Sequence, residues 1–144
     1  METPALVHSF SVVVDAGRDL GSFVECSGLS VSYGVRPLRE GGENGHAHNL
    51  WGPVSYGNVT LARPIDASSA AVAEWVSSFA DGAEPADARI AALDPAGETI
   101  AAWTLSGVFP LSWTGPSWNV TAAAVARETL QLAHTGFKLE AGAR

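Results

Sequence analysis

His46 and His48, one residue apart with Glu40 and Glu43 close by, are residue types that bind a divalent metal. Zinc needs three or four ligands held in place by a supporting shell. The pair lies in REGGENGHAHNLWG, Arg39 to Gly52, fourteen residues with four glycines and no rigid backing. Contact with solvent or with a partner explains it better than coordination. A nucleophilic triad has His8, His134 and many serines to draw on, but no G-x-S-x-G elbow, and Cys26 has no histidine near it in sequence. Gly41-Gly42 belongs to neither a G-x-G-x-x-G nor a Walker loop, and no Gly-Lys-Ser/Thr follows. Asp19, Glu25, Glu84 and Asp87 read as solvated carboxylates. Asn58-Val-Thr60 and Asn119-Val-Thr121 match the glycosylation pattern but need a secretory route to be used. The residues imply no catalysis, metal or cofactor.

The elements that must position these residues are mostly strands. His8, Phe10, Val12 and Val14 alternate with Ser9, Ser11 and Val13; the turn Asp15-Ala-Gly-Arg follows, and Gly21–Cys26 completes a hairpin. Leu29, Val31, Tyr33 and Val35 alternate with Ser30, Ser32, Gly34 and Arg36, the pattern of a strand with one wet face. Tyr56 to Leu61 reads as a fourth strand, stopped near Arg63-Pro64 because proline cannot donate to a ladder. Val72, Trp75, Val76 and Phe79 recur at helical spacing within Ser68–Ala80, with Asp66, Ser68 or Ser69 available as a cap and Asp81-Gly82 as a stop. Ala88–Leu93 and Thr99–Phe109 form a second hairpin around DPAGE, followed by Leu111–Trp118. Ala122–Phe137 favours helix by propensity and strand by the alternation of Ala126, Glu128, Leu130, Leu132 and His134, and the pattern leaves both open.

About seven strands and one helix predict a mainly β fold, a barrel or sandwich with the helix packed outside, in a single domain over residues 1–144. The chain is 47% hydrophobic and 16% charged, the composition of an ordinary globular protein. Its net charge of −7, with eight basic residues scattered singly, reads against nucleic-acid binding, which needs clustered cations. METPALVHSFSVVV lacks the basic segment of a secretory signal, and no apolar run approaches the roughly 20 residues of a membrane span. Together with the lone Cys26, this places folding in the cytosol. Trp103 is expected in the core; Trp113 and Trp118, near Phe109-Pro110, suit either core or a subunit interface.

Taken in order, four blocks resemble the tail-tube proteins of contractile phages and the related contractile injection systems. They are Gly21 to Asp66, AEWVSSF on the helix, GVFPLSWTGPSW (Gly107 to Trp118) and ARETLQLAHTGF (Ala126 to Phe137). Two positions depart from the family's habit: Trp51-Gly52 stands where Pro-Gly is common after the arm, and Arg63-Pro64 where Arg-Gly is common. The resemblance implies hexameric rings stacked into a hollow tube inside a contracting sheath, with a fold like the type VI secretion tube protein. It also implies a strand at about Val125–His134, partners in sheath, baseplate, tube initiator and spike, and cargo or genome in the lumen without sequence-specific binding. Arg39–Gly52 would be a protruding arm that bridges neighbouring subunits and rings through Arg39, Glu40, Gly41, Gly42, Asn44, His46, His48, Leu50 and Trp51, and that orders only as Leu50 and Trp51 dock. Six copies would carry six times the −7 charge of one chain, which discourages adhesion of acidic cargo. Two rivals predict other things. A monomeric β-barrel whose loop gates a small ligand needs a large apolar pocket, and an enzyme needs convergent polar residues.

Overall fold

The alternation at the N-terminus does build a hairpin. In the computed structural model, which describes residues 6–15, 17–38, 48–116, 121 and 125–140, β1 (Ser9–Val14) pairs antiparallel with β2 (Arg18–Phe23), Val12 opposite Gly21. Val12, Val14, Leu20 and Phe23 point inward and are buried. The chain then kinks at Val24, whose N–H bonds the Ala62 carbonyl at 3.0 Å, and continues as β3 (Glu25–Ser27) with a different neighbour. β4 (Val31–Leu38), β5 (His48–Tyr56), β6 (Val59–Pro64), α1 (Ser69–Ala80), β7 (Ala86–Leu93), β8 (Thr99–Thr114), β9 (Arg127–Ala133) and β10 (Gly136–Leu139) follow.

Neighbouring strands run in the order β2-β1-β7-β8-β9-β6-β3, with β10 beside β8 and every pair antiparallel. Because β2 and β3 are separated only by Val24, the two ends of the path meet at that corner, where the Val24 N–H bonds the Ala62 carbonyl, and the sheet folds over on itself as a flattened, barrel-like sandwich. Val59, Leu61, Ile90, Leu105, Val108, Leu130 and Leu132 fill the interior with the side chains of the first hairpin. Each such side chain contributes about 1.5–3 kcal/mol by leaving water.

The helix lies where its periodicity predicts. Val72 and Trp75 are buried in the same core, and Trp75 meets Phe79 edge-on with ring centroids 5.4 Å apart. Ser68 occupies the cap position without a side-chain cap bond; the first turn is fixed instead by Asp66 and Ser69. The Asp66 carboxylate accepts the Ser68 N–H at 2.7 Å, and Ser69 Oγ accepts the Asp66 N–H at 3.1 Å.

Among the described residues ten strands replace the seven or so predicted, and each difference has its own cause. β2 and β3 come from one alternating run that changes partner at Val24. Tyr56–Leu61 is cut at Gly57-Asn58, so Tyr56 ends β5 and Val59 opens β6. Leu111 does not start a new strand, because β8 runs unbroken through Pro110 to Thr114. The ambiguous C-terminal run is strand, β9 and β10 divided at His134-Thr135, since Leu130 and Leu132 must face the core on alternate positions.

Candidate assembly surface

Two strands stay outside the barrel. β4 and β5 pair only with each other among the described strands, from Val31 opposite Tyr56 to Leu38 opposite His48. The described side chains of this ribbon are largely exposed, including Val31, Tyr33, Val35 and Val54. The ladder shifts register between Tyr33 and Val35, where the two strands come unusually close. A Cβ on Gly52 would lie 2.5 Å from the carbonyl carbon and oxygen of Gly34, so only glycine fits there.

The strand assignment corrects one expectation. Arg39–Gly52 is not wholly a loop: His48, Leu50, Trp51 and Gly52 belong to β5 and are hydrogen-bonded to the same chain, Leu50 opposite Arg36 and Trp51 opposite Val35. Their backbone therefore finds its ladder without a neighbouring copy, because the alternating run before the glycines supplies a partner strand. Arg39, Glu40, Gly41, Gly42, Asn44 and His46 lie outside the described residues, as does Trp118.

An aromatic cluster fixes the ribbon's root. Tyr56 meets His134 and Phe137 with ring centroids 5.6 and 5.7 Å away. His134 Nδ1 accepts the Gly136 N–H at 3.2 Å, which leaves Nε2–H to donate to the Gly57 carbonyl at 2.9 Å. His134, a triad candidate and the last step of an alternating run in the sequence, therefore anchors the ribbon to the barrel.

The barrel mouth holds a polar cluster that sequence reading missed. Arg63 and Glu128 are 1% and 0% exposed and pair at 2.8 Å, Nε to Oε2. Arg63 Nη1 also donates to the carbonyls of Leu20 at 2.8 Å and Ser22 at 3.3 Å, and the guanidinium lies 4.1 Å over the Phe23 ring. Glu128 accepts from Ser69 Oγ at 2.5 Å and from Trp113 Nε1 at 2.9 Å. Burial pulls the Glu128 carboxyl upward, but bonds from Ser69, Trp113 and Arg63 and the Arg63 charge outweigh it and hold the group below its ordinary 4.5. Gly21, at φ +88°, makes this possible: a Cβ there would sit 2.6 Å from Ser68 and 2.7 Å from Arg63 Nη1. A signal was present, since Arg63 and Glu128 occupy the inward rows Val59-Leu61-Arg63 and Glu128-Leu130-Leu132.

Trp113 is half-exposed, with its indole held between Glu128 and Gly115, while Trp103 packs partly buried against the core. The Cys26 thiol is pushed up to about 11 by burial, which makes it a poor nucleophile at neutral pH. Among the described residues no three of His, Cys, Asp and Glu gather as a metal would require, and no helix is long and apolar enough to cross a membrane. A depression of about 170 Å³ lined by Val13, Gly17, Asp87, Ala88, Arg89 and Thr104 falls below the roughly 300 Å³ at which small-molecule sites begin.

What remains on the surface is an exposed apolar ribbon and an aromatic rim, features of a protein that meets other proteins. The family model described as T4-like virus tail tube protein gp19 matches residues 7–138. The chain belongs to that family. Tail tube proteins are structural, and solved structures carry the same fold in contractile injection systems. A chain of the sheath/tube terminator of an extracellular contractile injection system (PVC, extended state) is 27% identical, with a TM-score of 0.79 over 98% of this chain and 99% of that one. A chain of the PVC sheath-tube complex is also 27% identical, with a TM-score of 0.78 over 97% and 93%. Hcp1 from Flavobacterium johnsoniae, 15% identical with a TM-score of 0.53 over 93% and 96%, shares the fold. No curated protein matches the chain by sequence. This tail tube protein is thus a structural subunit of a contractile tail or injection machine.

Proposed function

We propose that this tail tube protein works as a single domain that closes into six-membered rings, stacks them into a hollow tube and threads that tube through a sheath. The observation that carries the reading is the ribbon, β4 with β5, which leaves the barrel with exposed apolar side chains and has no strand partner beyond itself among those described. Residues 39–52 form the arm that reaches the adjacent ring. Rings arise when a head-to-tail contact repeats by a rotation that closes. Sheath, baseplate, initiator and spike are the partners, assembly takes place in the cytosol, and the chain performs no catalysis.

Native mass measurement tests the ring. A species near six times the 14.9 kDa of one chain is expected, and a monomer at all concentrations would refute it. The rival reading, a ligand-gating monomer, has no observation in its favour.

A further inference from the structure

The proposed rings need two different surfaces, one that reaches and one that receives, and the ribbon supplies only the first. A receiving surface lies on β8. β7 accompanies this strand only as far as Val108, opposite Ala86, whereas β9 follows its other edge to Thr114. From Phe109 to Thr114 the edge on the β7 side therefore meets no described strand. Such an edge is a template for a further strand. Phe109, Leu111 and Trp113 are 38%, 48% and 40% exposed; the register shift between Pro110 and Ser112 sets Phe109 and Trp113 on opposite faces, opposite Ala133 and Leu130 respectively, so the segment offers apolar side chains on both sides of its edge.

Charge selects the occupant. The chain has fifteen acidic residues and a net charge of −7, so copies repel over most of their surface. Thr99–Ala126, 28 residues including all of β8, contains no charged side chain, and neither does Cys26–Val35, which leads into and forms most of β4. Two identical acidic molecules can meet at these places without bringing like charges together, and the cores of protein interfaces are depleted of charge in the same way. Next to the β8 segment, Arg127 and Glu25 neutralise each other in an ion pair.

We infer that the open edge of β8, Phe109–Thr114, receives the β4–β5 ribbon of a second copy of this chain, with Trp113 as its anchor. The inference rests on the tube reading and specifies its contact. Trp113 suits the role because its indole is already held by Glu128 and Gly115, so little ordering remains to be done on binding.

The test uses Val35→Cys and Leu111→Cys together, in a Cys26→Ser background, on assemblies verified by electron microscopy. A flexible bis-maleimide should yield a ladder of dimers and higher multimers, because every copy both gives and receives, while either single variant should run as monomer. Leu111→Glu, at a half-exposed position, should keep the wild-type melting curve and weaken assembly about tenfold or more. Assembled double variant that runs as monomer, or Leu111→Glu that assembles like wild type, overturns this contact and leaves the tube reading standing. Wild-type protein that never assembles overturns both.

Discussion

Arg63 and Glu128 are the two charged side chains withdrawn from water among the described residues; they pair with each other, Arg63 donates to two carbonyls of β2, and Glu128 accepts from Ser69 of α1 and Trp113 of β8. Breaking a buried pair on one side strands the other charge and costs about 3–5 kcal/mol, whereas removing both can be close to neutral. Glu128→Ala should accordingly lower the unfolding free energy by about 3 kcal/mol or more in denaturant titrations. Arg63→Met with Glu128→Leu should recover most of that loss. A pH dependence follows from the same cluster. A carboxyl held below its unfolded value stabilises the fold fully above that value and loses the contribution as pH falls through the folded one. Stability should therefore decline as pH drops below about 4.5, and Glu128→Gln should show a shallower decline over the same range.

At the scale of elements, two glycines separate the barrel from the ribbon. Gly21→Ala would press a methyl against Ser68 and the Arg63 guanidinium at φ +88°, so it should cost about 1–3 kcal/mol of barrel stability. A methyl at Gly52 would press on the Gly34 backbone, in a ribbon none of whose described side chains belongs to the core cluster. Gly52→Ala should leave barrel unfolding near wild type while weakening assembly about tenfold or more, read by melting and by sedimentation. The helix and the hairpins were legible in the sequence because their buried faces repeat: Val72 and Trp75 at helical spacing, Val12 and Val14 at strand spacing. The divisions at Val24 and at Gly57-Asn58 were not, because each depends on which distant strand supplies the next hydrogen bond. Residues 48–52 were misread for the same reason, since their partner, β4, lies across the glycine-rich stretch. The Arg63–Glu128 pair stayed hidden because a charged side chain reads as surface until register sets it on an inward row.

For the whole molecule, fold and family came from different kinds of signal. Alternation and composition lead as far as a β barrel with one helix; membership of the tail tube family rested on four blocks in order, and the match over residues 7–138 bears it out. In the proposed assembly a net charge of −7 opposes contact between copies, and the uncharged β8 edge and a ribbon whose one Lys, Arg, Asp or Glu is Arg36 are where that opposition is weakest. Deleting Gly41–His48 should leave a folded barrel, because β5 loses only its first ladder position, yet abolish stacking; normal tubes from that variant would remove the arm from the account. The most direct measurement is electron microscopy of the purified protein across a range of concentrations. Six-fold rings or stacked tubes about one protein layer thick at the wall are the predicted images, and isolated particles of single-chain size at every concentration would contradict the account.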